Sequence, residues 1–369
     1  MTDTHQVSGY VVPAESASDP RVSAEAVSWA IRLFLGREPA DTSEIEFHRQ
    51  HHSVDELRKA FSNTPAFRSY LLAERREPDP LRTYAAPLWL LEAPDSSSIP
   101  WIWSPPTLEH PVSQLCTFEQ MNGPLFENLC VELGLVPRQH RKVWEFAYIL
   151  SAMRSYGLLR ENANLLGFGA GTEPLPSAFA SVGAHVLATD APPEVIEGQG
   201  WETTKQHSTM VKELHWPKLI TLEEFDRRVS FRPVDMNNIP PDLVNFDCCW
   251  SACAFEHLGD IESGLKFVEN SLKTLKPGGY AIHTTEFNLS SNDETVETRN
   301  LCLFRRQDIE RLLIRLTAQG HKVMPLNLFP GVTQVDAHID APPWSSPHLK
   351  IQIMNFVTTS IGLIVQRGA

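Results

Sequence analysis

Gly167, Gly169 and Gly171 alternate in the run Gly167-Phe168-Gly169-Ala170-Gly171. Glycines so spaced let a backbone turn sharply and approach a ligand where a Cβ would intrude. Asp190 closes the apolar segment Ala184 to Thr189 that comes after them. A carboxylate only accepts hydrogen bonds, so it suits two vicinal hydroxyls. Farther along, Glu256, His257 and Glu286 are groups able to take a proton, and the imidazole, which titrates nearest neutral pH, is favoured as a general base. A Glu-His pair at a helix entrance also serves simply to shape a pocket. Asp336, His338 and Asp340, with His257 and Glu286, offer ligand atoms for a divalent cation, but their scatter has no ligand spacing and no metal is assigned. His48, His51 and His52 fall in a stretch rich in Arg and Glu that reads as a solvated helical surface.

These residues need a scaffold, and the pattern around them is βαβ. Leu165 and Leu166 lead into the glycine turn, and a helix follows whose first turn carries Glu173 and Pro174, with Leu175, Phe179 and Val182 on one stripe. A third strand, Val229 to Val234, runs into Asp235 and Met236. A fourth, Phe246 to Trp250, runs through Ser251 to Glu256-His257-Leu258, and the helix after it stacks Ile261, Leu265, Val268, Leu272 and Leu275. Lys276-Pro277-Gly278-Gly279 ends that helix and turns the chain into a buried strand, Tyr280 to Glu286. The polar run His283 to Asn292 then reads as a loop suited to a polyhydroxylated acceptor. Helices are expected over Gln114 to Leu133, Arg138 to Tyr156 and Gln307 to Ala318, and strands near Lys322 to Phe329 and Ile351 to Val365. The long passage Ala191 to Arg228, with Trp201, Gln206, His207 and Trp216, falls where insertions build substrate sites.

A dinucleotide fingerprint, G-x-G-x-x-G, fails in both frames, because Thr172 and Pro174 stand where its last glycine belongs. The run instead resembles the G-x-G-x-G turn of class I S-adenosylmethionine-dependent methyltransferases, and the Glu-His-Leu and Leu-Lys-Pro-Gly-Gly segments are similar to the fourth and fifth strand region of that family. The resemblance covers the chain from Asn164 onward. It implies an α/β, Rossmann-like sheet, mostly parallel with an antiparallel last strand, and S-adenosylmethionine as cofactor. The turn would pass the amino-acid part of the cofactor and Asp190 the ribose hydroxyls. Asp235 would take the adenine amino group with Met236 covering the ring, although an aspartate at a strand end is also a common turn residue. Gly167, Gly169, Gly171, Glu173, Asp190, Asp235, Met236 and Ser251 are the implied cofactor residues, and Arg141 or Lys142 would meet the methionine carboxylate.

Residues 1–22 are polar and read as a loose terminus; residues 23–77 read as a small helical module with Val27, Ala30, Ile31 and Phe34 on one stripe and Leu57, Ala60 and Phe61 on another. Leu35-Gly36-Arg37-Glu38-Pro39 and Phe61-Ser62-Asn63-Thr64-Pro65-Ala66-Phe67 resemble the bacterial DUF4214 module, with Ala66 where the module usually has glutamate. Such modules accompany enzymes of bacterial surface glycans, which favours a sugar or glycan acceptor and leaves room for a protein partner at the module. A proline-rich connector, 78–111, carries Trp89, Trp101 and Trp103 and should pack across the catalytic domain, 112–369, rather than hang free. The formal net charge of −13 argues against nucleic acid, which is bound through Lys and Arg. Six unpaired-looking cysteines, the lack of a basic leader and the lack of a long apolar run point to a cytoplasmic protein with no membrane insertion. A non-sugar natural product as acceptor, and a non-catalytic cofactor-fold scaffold, are the competing readings.

Overall fold

The computed structural model describes residues 21–35, 38–62, 64, 83–192 and 211–369. The chain forms two compact units, 1–80 and 81–369. In the first, helices α1 (Ala24–Leu35), α2 (Thr42–His48) and α3 (Val54–Ser62) enclose a small core of Val22, Val27, Ala30, Ile31, Leu57 and Phe61. Asp41 caps α2 by accepting from the Glu44 N–H at 3.0 Å. Gly36, Arg37, Asn63 and Pro65 to Phe67 lie outside the described residues.

The second unit is built on an 11-stranded sheet. The strands along its main path are β1 (Ser113–Leu115), β2 (Asn164–Phe168), β3 (His185–Asp190), β4 (Val229–Pro233), β5 (Phe246–Ala252), β6 (Leu275–Asn288) and β7 (Phe356–Gln366). Their order across the sheet is β1-β7-β6-β5-β2-β3-β4, with the short piece Leu326–Asn327 outside β1. The pairs β6/β5, β5/β2, β2/β3 and β3/β4 are parallel, whereas β7 is antiparallel to both β6 and β1. This is the Rossmann-like sheet expected, with the closing strand reversed. Successive residues point to opposite faces: Leu165 joins a layer with Trp144, Tyr148, Phe179 and Phe225, and Leu166 a layer with Leu265, Phe267, Leu312 and Leu316. The helices α4 (Pro124–Glu132), α5 (Arg141–Ser155), α6 (Leu175–Ser181) and α7 (Leu222–Arg228) supply the first layer; α8 (Ile261–Ser271) and α9 (Arg306–Ala318) supply the second. Leu90 and Ile99 of the connector are buried in that second layer, with Trp89 and Trp101 packed on it.

Several expectations are corrected. Gln114 to Leu133 is not one helix: Gln114 and Leu115 belong to β1, Phe118–Met121 is a single tight turn, and α4 starts only at Pro124, which lacks the N–H a helix interior needs. Lys322 to Phe329 is reduced to the two-residue pieces Lys322–Val323 and Leu326–Asn327, because β1 takes the place beside β7. The segment from Ile351 to Val365 is a hairpin, Lys350–Ile353 and Phe356–Gln366, turned at Met354 with φ +52°. Val182 lies beyond α6 and is 46% exposed, off the buried stripe. The polar residues from His283 to Asn288 are not a loop but the second half of β6, buried throughout.

Candidate functional site

β2 ends at Phe168, and the chain leaves it through Gly169 at φ +59° and Gly171 at φ +49°, left-handed conformations that side chains with a Cβ resist. A Cβ on Gly169 would stand 2.7 Å from the Ala254 Cβ, so the turn packs against the loop after β5 with no room to spare. Between these two loops and the ends of β3 and β4 opens a cleft of about 370 Å³. Gly169, Gly171, Glu173, Asp190, Asp235, Met236 and His257, all named from sequence, line it. It lies at the carboxyl ends of the parallel strands, where ligands of open α/β sheets bind.

Asp190 is 3% exposed, and its Oδ1 accepts from the Ala191 N–H at 2.8 Å. The Asp235 Oδ1 accepts from the Asn237 N–H at 2.9 Å, which fixes the turn that presents Met236. Glu173 is buried, and its Oε1 accepts from the Trp250 indole N–H at 2.7 Å. Burial pushes the Glu173 carboxyl up to about 8, a change the Trp250 bond and the Lys142 ammonium only partly oppose. His257 donates Nδ1–H to the Asn300 carbonyl at 2.6 Å, a partner that can only accept. In the neutral ring the lone pair therefore resides on Nε2.

Not every candidate is in the cleft. Gly167 lies on β2 beneath the Trp250 ring, which a Cβ would meet at 2.5 Å, so its lack of a side chain makes room for an indole, not for a ligand. Ser251 is fully buried and bonds His283 Nδ1 at 2.8 Å; His283 Nε2 meets the Ser271 hydroxyl at 3.1 Å, and burial holds this imidazole neutral, down to about 3. Glu256 is buried behind the cleft wall and accepts from the Thr285 hydroxyl at 3.0 Å. Glu286 pairs with Arg141 and accepts from the Thr358 hydroxyl at 3.0 Å. Ser251, Glu256 and Glu286 are thus structural neighbours of the cleft, not part of its lining.

Of the two basic residues opening α5, Lys142 lines the cleft and Arg141 does not. The Lys142 Nζ pairs with Glu145 at 2.8 Å and donates to the Ala252 carbonyl at 3.2 Å. Glu145 is itself fully buried, accepts from Ser360 at 2.6 Å, and is held below the usual carboxylate range despite its burial by Lys142 and Arg141. Cys253, Glu256 and Glu286 bring ligand atoms within 4.8 Å of one another. The Arg141 guanidinium already sits on Glu286, and its positive charge opposes a divalent cation there. Asp336, from the earlier metal candidates, is used by the Phe118 and Thr333 N–H groups, and Asp340 by Ser345 and His348. The Trp250 indole on Glu173 and the lining residues Leu135, Phe146 and Cys253 were not expected from sequence. Spacing carries no signal for them, since Leu135 follows α4, Phe146 lies on α5, and Trp250 and Cys253 belong to β5 and the loop after it. Trp216 lines the cleft and donates to the Thr172 carbonyl at 3.3 Å, while Trp201, Gln206 and His207 lie outside the described residues.

The sequence profile of the methyltransferase domain family matches residues 166–283, which include the glycine turn, Asp190, Asp235 and His257. Over that stretch the chain is similar to a methyltransferase domain. Among solved structures, it is similar to a magnesium protoporphyrin IX methyltransferase from Synechocystis with bound SAH, at 12% identity and a TM-score of 0.37 over 68% of this chain and 93% of that one. An S-adenosylmethionine-dependent methyltransferase from Clostridium acetobutylicum aligns at 14% identity and a TM-score of 0.33, over 60% of this chain and 89% of that one. An O-methyltransferase family protein from Burkholderia thailandensis aligns at 13% and 0.34, over 62% and 60% respectively. Likeness at this level says nothing of substrate. No curated protein matches the chain. Among the described residues no helix is long and apolar enough to cross a membrane.

Proposed function

We propose that the protein transfers a methyl group from S-adenosylmethionine to a hydroxyl of a sugar or glycan intermediate. The cleft at the carboxyl edge of the sheet carries this reading: a glycine turn on one side, and the acceptor carboxylates of Asp190 and Asp235 on the other with the Met236 side chain between apolar walls. The donor set fits the cofactor. Asp190 takes the ribose hydroxyls, Asp235 the adenine amino group, and Met236 covers the base. The missing Cβ of Gly169 lets the turn pack directly on Ala254, which sets the wall of the cleft. When bound, S-adenosylmethionine supplies an electrophilic methyl group on a sulfonium.

The protein's own part in the transfer is alignment and a destination for the acceptor proton. His257 serves as that base: Nδ1 is held by Asn300, so Nε2 receives the proton as the new C–O bond forms. Glu256 and Glu286 lie behind the wall and shape it. The sugar reading rests on the DUF4214-like pattern of the N-terminal helices and their usual association; through that module the protein would also meet a protein partner, in the cytoplasm. A non-sugar natural product is the alternative acceptor. The test is transfer of label from methyl-labelled S-adenosylmethionine, with calorimetric titration of S-adenosylmethionine, S-adenosylhomocysteine and NAD alongside. Binding of the first two with transfer to nucleotide sugars is the expected result. Binding without transfer to any sugar would move the acceptor elsewhere, and no binding of either would leave a scaffold.

A further inference from the structure

His257 ends the tight turn Phe255–His257 that follows β5, shortly before α8 begins at Ile261. What steadies it comes from two other parts of the chain. From the turn after β4, the Asn237 Nδ2 donates to the Leu258 carbonyl at 3.3 Å and fixes the backbone beside His257. From farther along, Asn300 presents the main-chain carbonyl that takes the Nδ1–H at 2.6 Å. Because that acceptor is a main-chain group, its place depends on the element carrying it. Asn300 lies in the turn of a two-stranded ribbon, Glu297–Thr298 paired antiparallel with Leu301–Cys302, separate from the main sheet. A lone two-stranded ribbon is marginal in water and needs outside support.

This ribbon has support of three kinds. The Thr298 hydroxyl closes its turn, accepting from the Leu301 N–H at 3.1 Å and donating to the Leu301 carbonyl at 3.0 Å. The Leu301–Cys302 arm runs into buried Leu303 and Phe304, and the Phe304 ring packs on Gly264 of α8, where a Cβ would meet it at 2.6 Å. The Glu297–Thr298 arm is exposed, and Glu297 ties it down: its Oε1 accepts from the Ile261 N–H at 3.0 Å. Ile261 opens α8, so that N–H is one the helix leaves without an internal partner, and a carboxylate is favoured at this end of a helix.

We infer that Glu297 is a positioning residue for His257: by pinning the ribbon to the start of α8 it keeps the Asn300 carbonyl on Nδ1–H, and so keeps the lone pair of the ring on Nε2. The inference rests on the reading of His257 as the base and names what holds that base in its working form. The tautomer of a neutral imidazole is set by the hydrogen bond its other nitrogen makes. A ring released from Asn300 would carry its hydrogen on Nε2 for much of the time, where the base needs a lone pair. Glu297 is not part of the cleft lining, so its effect passes through the ribbon, the Asn300 carbonyl and the ring.

The test reads the ring directly. Nuclear magnetic resonance of the full chain, with isotope-labelled nitrogen in its histidines, is recorded at about pH 8.5, where an ordinary imidazole is neutral. A ring N–H and a bare ring nitrogen have distinct shifts, and the His257 signals are those missing from His257→Gln. The wild type should carry hydrogen on Nδ1 alone. Glu297→Ala should share it between the two nitrogens, and so should Thr298→Val, which opens the turn of the ribbon from inside. Glu297→Gln keeps an oxygen for the Ile261 N–H and should restore the wild-type pattern. In label transfer to nucleotide sugars, Glu297→Ala should lower kcat about tenfold with KM for S-adenosylmethionine unchanged. Hydrogen held on Nδ1 alone in Glu297→Ala, or an equal disturbance in Glu297→Gln, would overturn the inference. A disturbed tautomer in Glu297→Ala together with a wild-type transfer rate in His257→Gln would overturn the base instead, and leave the hold of Glu297 on the ring standing.

Discussion

Replacing Gly167 by Ala adds one methyl group to the middle of β2, and the structure says what it would strike. The new Cβ would lie 2.5, 2.8 and 2.9 Å from three atoms of the Trp250 ring. That ring cannot step aside cheaply. It is fully buried, set edge-on to Phe179 with centroids 5.0 Å apart, and tied through its N–H to Glu173. Overpacking of this kind costs about 1–3 kcal/mol. If the indole shifts enough to release Glu173, a buried partner left unsatisfied adds roughly 1–3 kcal/mol. Gly167→Ala should therefore lower stability by roughly 1–3 kcal/mol if the Trp250–Glu173 bond survives and by roughly 2–6 kcal/mol if it breaks, read as a lower urea midpoint with an unchanged slope. Loosening of Glu173 should also weaken S-adenosylmethionine. Trp250→Phe removes the outer ring that the methyl strikes, so the double variant should be less damaged than the two single variants predict, a non-additive cycle. A wild-type midpoint for Gly167→Ala, or strict additivity in the cycle, would refute the account of Gly167 as room for Trp250.

Other outcomes follow from the same geometry. Gly169→Ala forces a Cβ into φ +59° and to 2.7 Å from Ala254, and should abolish measurable cofactor binding while the protein remains folded by circular dichroism. His257→Gln should retain cofactor affinity and slow transfer about 100-fold or more, with an equal rate removing His257 as the base. Arg141→Met leaves Glu286 buried without its cation and should cost about 3–5 kcal/mol, checked by thermal unfolding. Glu173 has a folded pKa raised from 4.5 to about 8, so the unfolded chain gives up this proton first and stability falls as pH rises between those values. Without ligand, Glu173→Gln should match the wild type near pH 4.5 and exceed it near pH 8 in thermal unfolding; a constant difference across that range would show that Glu173 does not carry the linkage.

That Gly169, Gly171, Asp190, Asp235, Met236 and His257 come together along one cleft was legible because each sits at a local signal: a strand end, a turn, a helix entrance. Glu256 lies on the tight turn after β5, where its carboxylate accepts from the Thr285 hydroxyl, and Ser251 and Glu286 were misplaced for a shared reason. Strand residues alternate between faces, and sequence alone does not tell which face of β5 or β6 meets the cleft when both are covered by apolar layers. His283, Thr284 and Thr285 read as loop because they are polar. In the structure they bond sideways to the Ser251 hydroxyl, the Cys253 backbone N–H and the Glu256 carboxylate, so neighbouring polar groups replace water inside the sheet. The helix expected over Gln114 to Leu133 failed because β1 is only three residues long and gains its place from partners over two hundred residues away. No window of local sequence contains that information.

The position of β7 has a consequence for how the chain can reach this state during vectorial synthesis. It is an interior strand, paired along its length with β6 and also with β1, yet it is made from residues 356–366. Until those residues emerge from the ribosome, β6 exposes its Ala281 to Asn288 edge and β1 has no neighbour on that side. A nascent chain long enough to hold the whole glycine turn, Asp190 and His257 thus still carries an unsealed sheet edge whose backbone N–H and C=O groups lack their β7 partners, the kind that recruits other strands. Shortened versions ending after the matched domain should emerge as insoluble aggregates rather than as smaller enzymes.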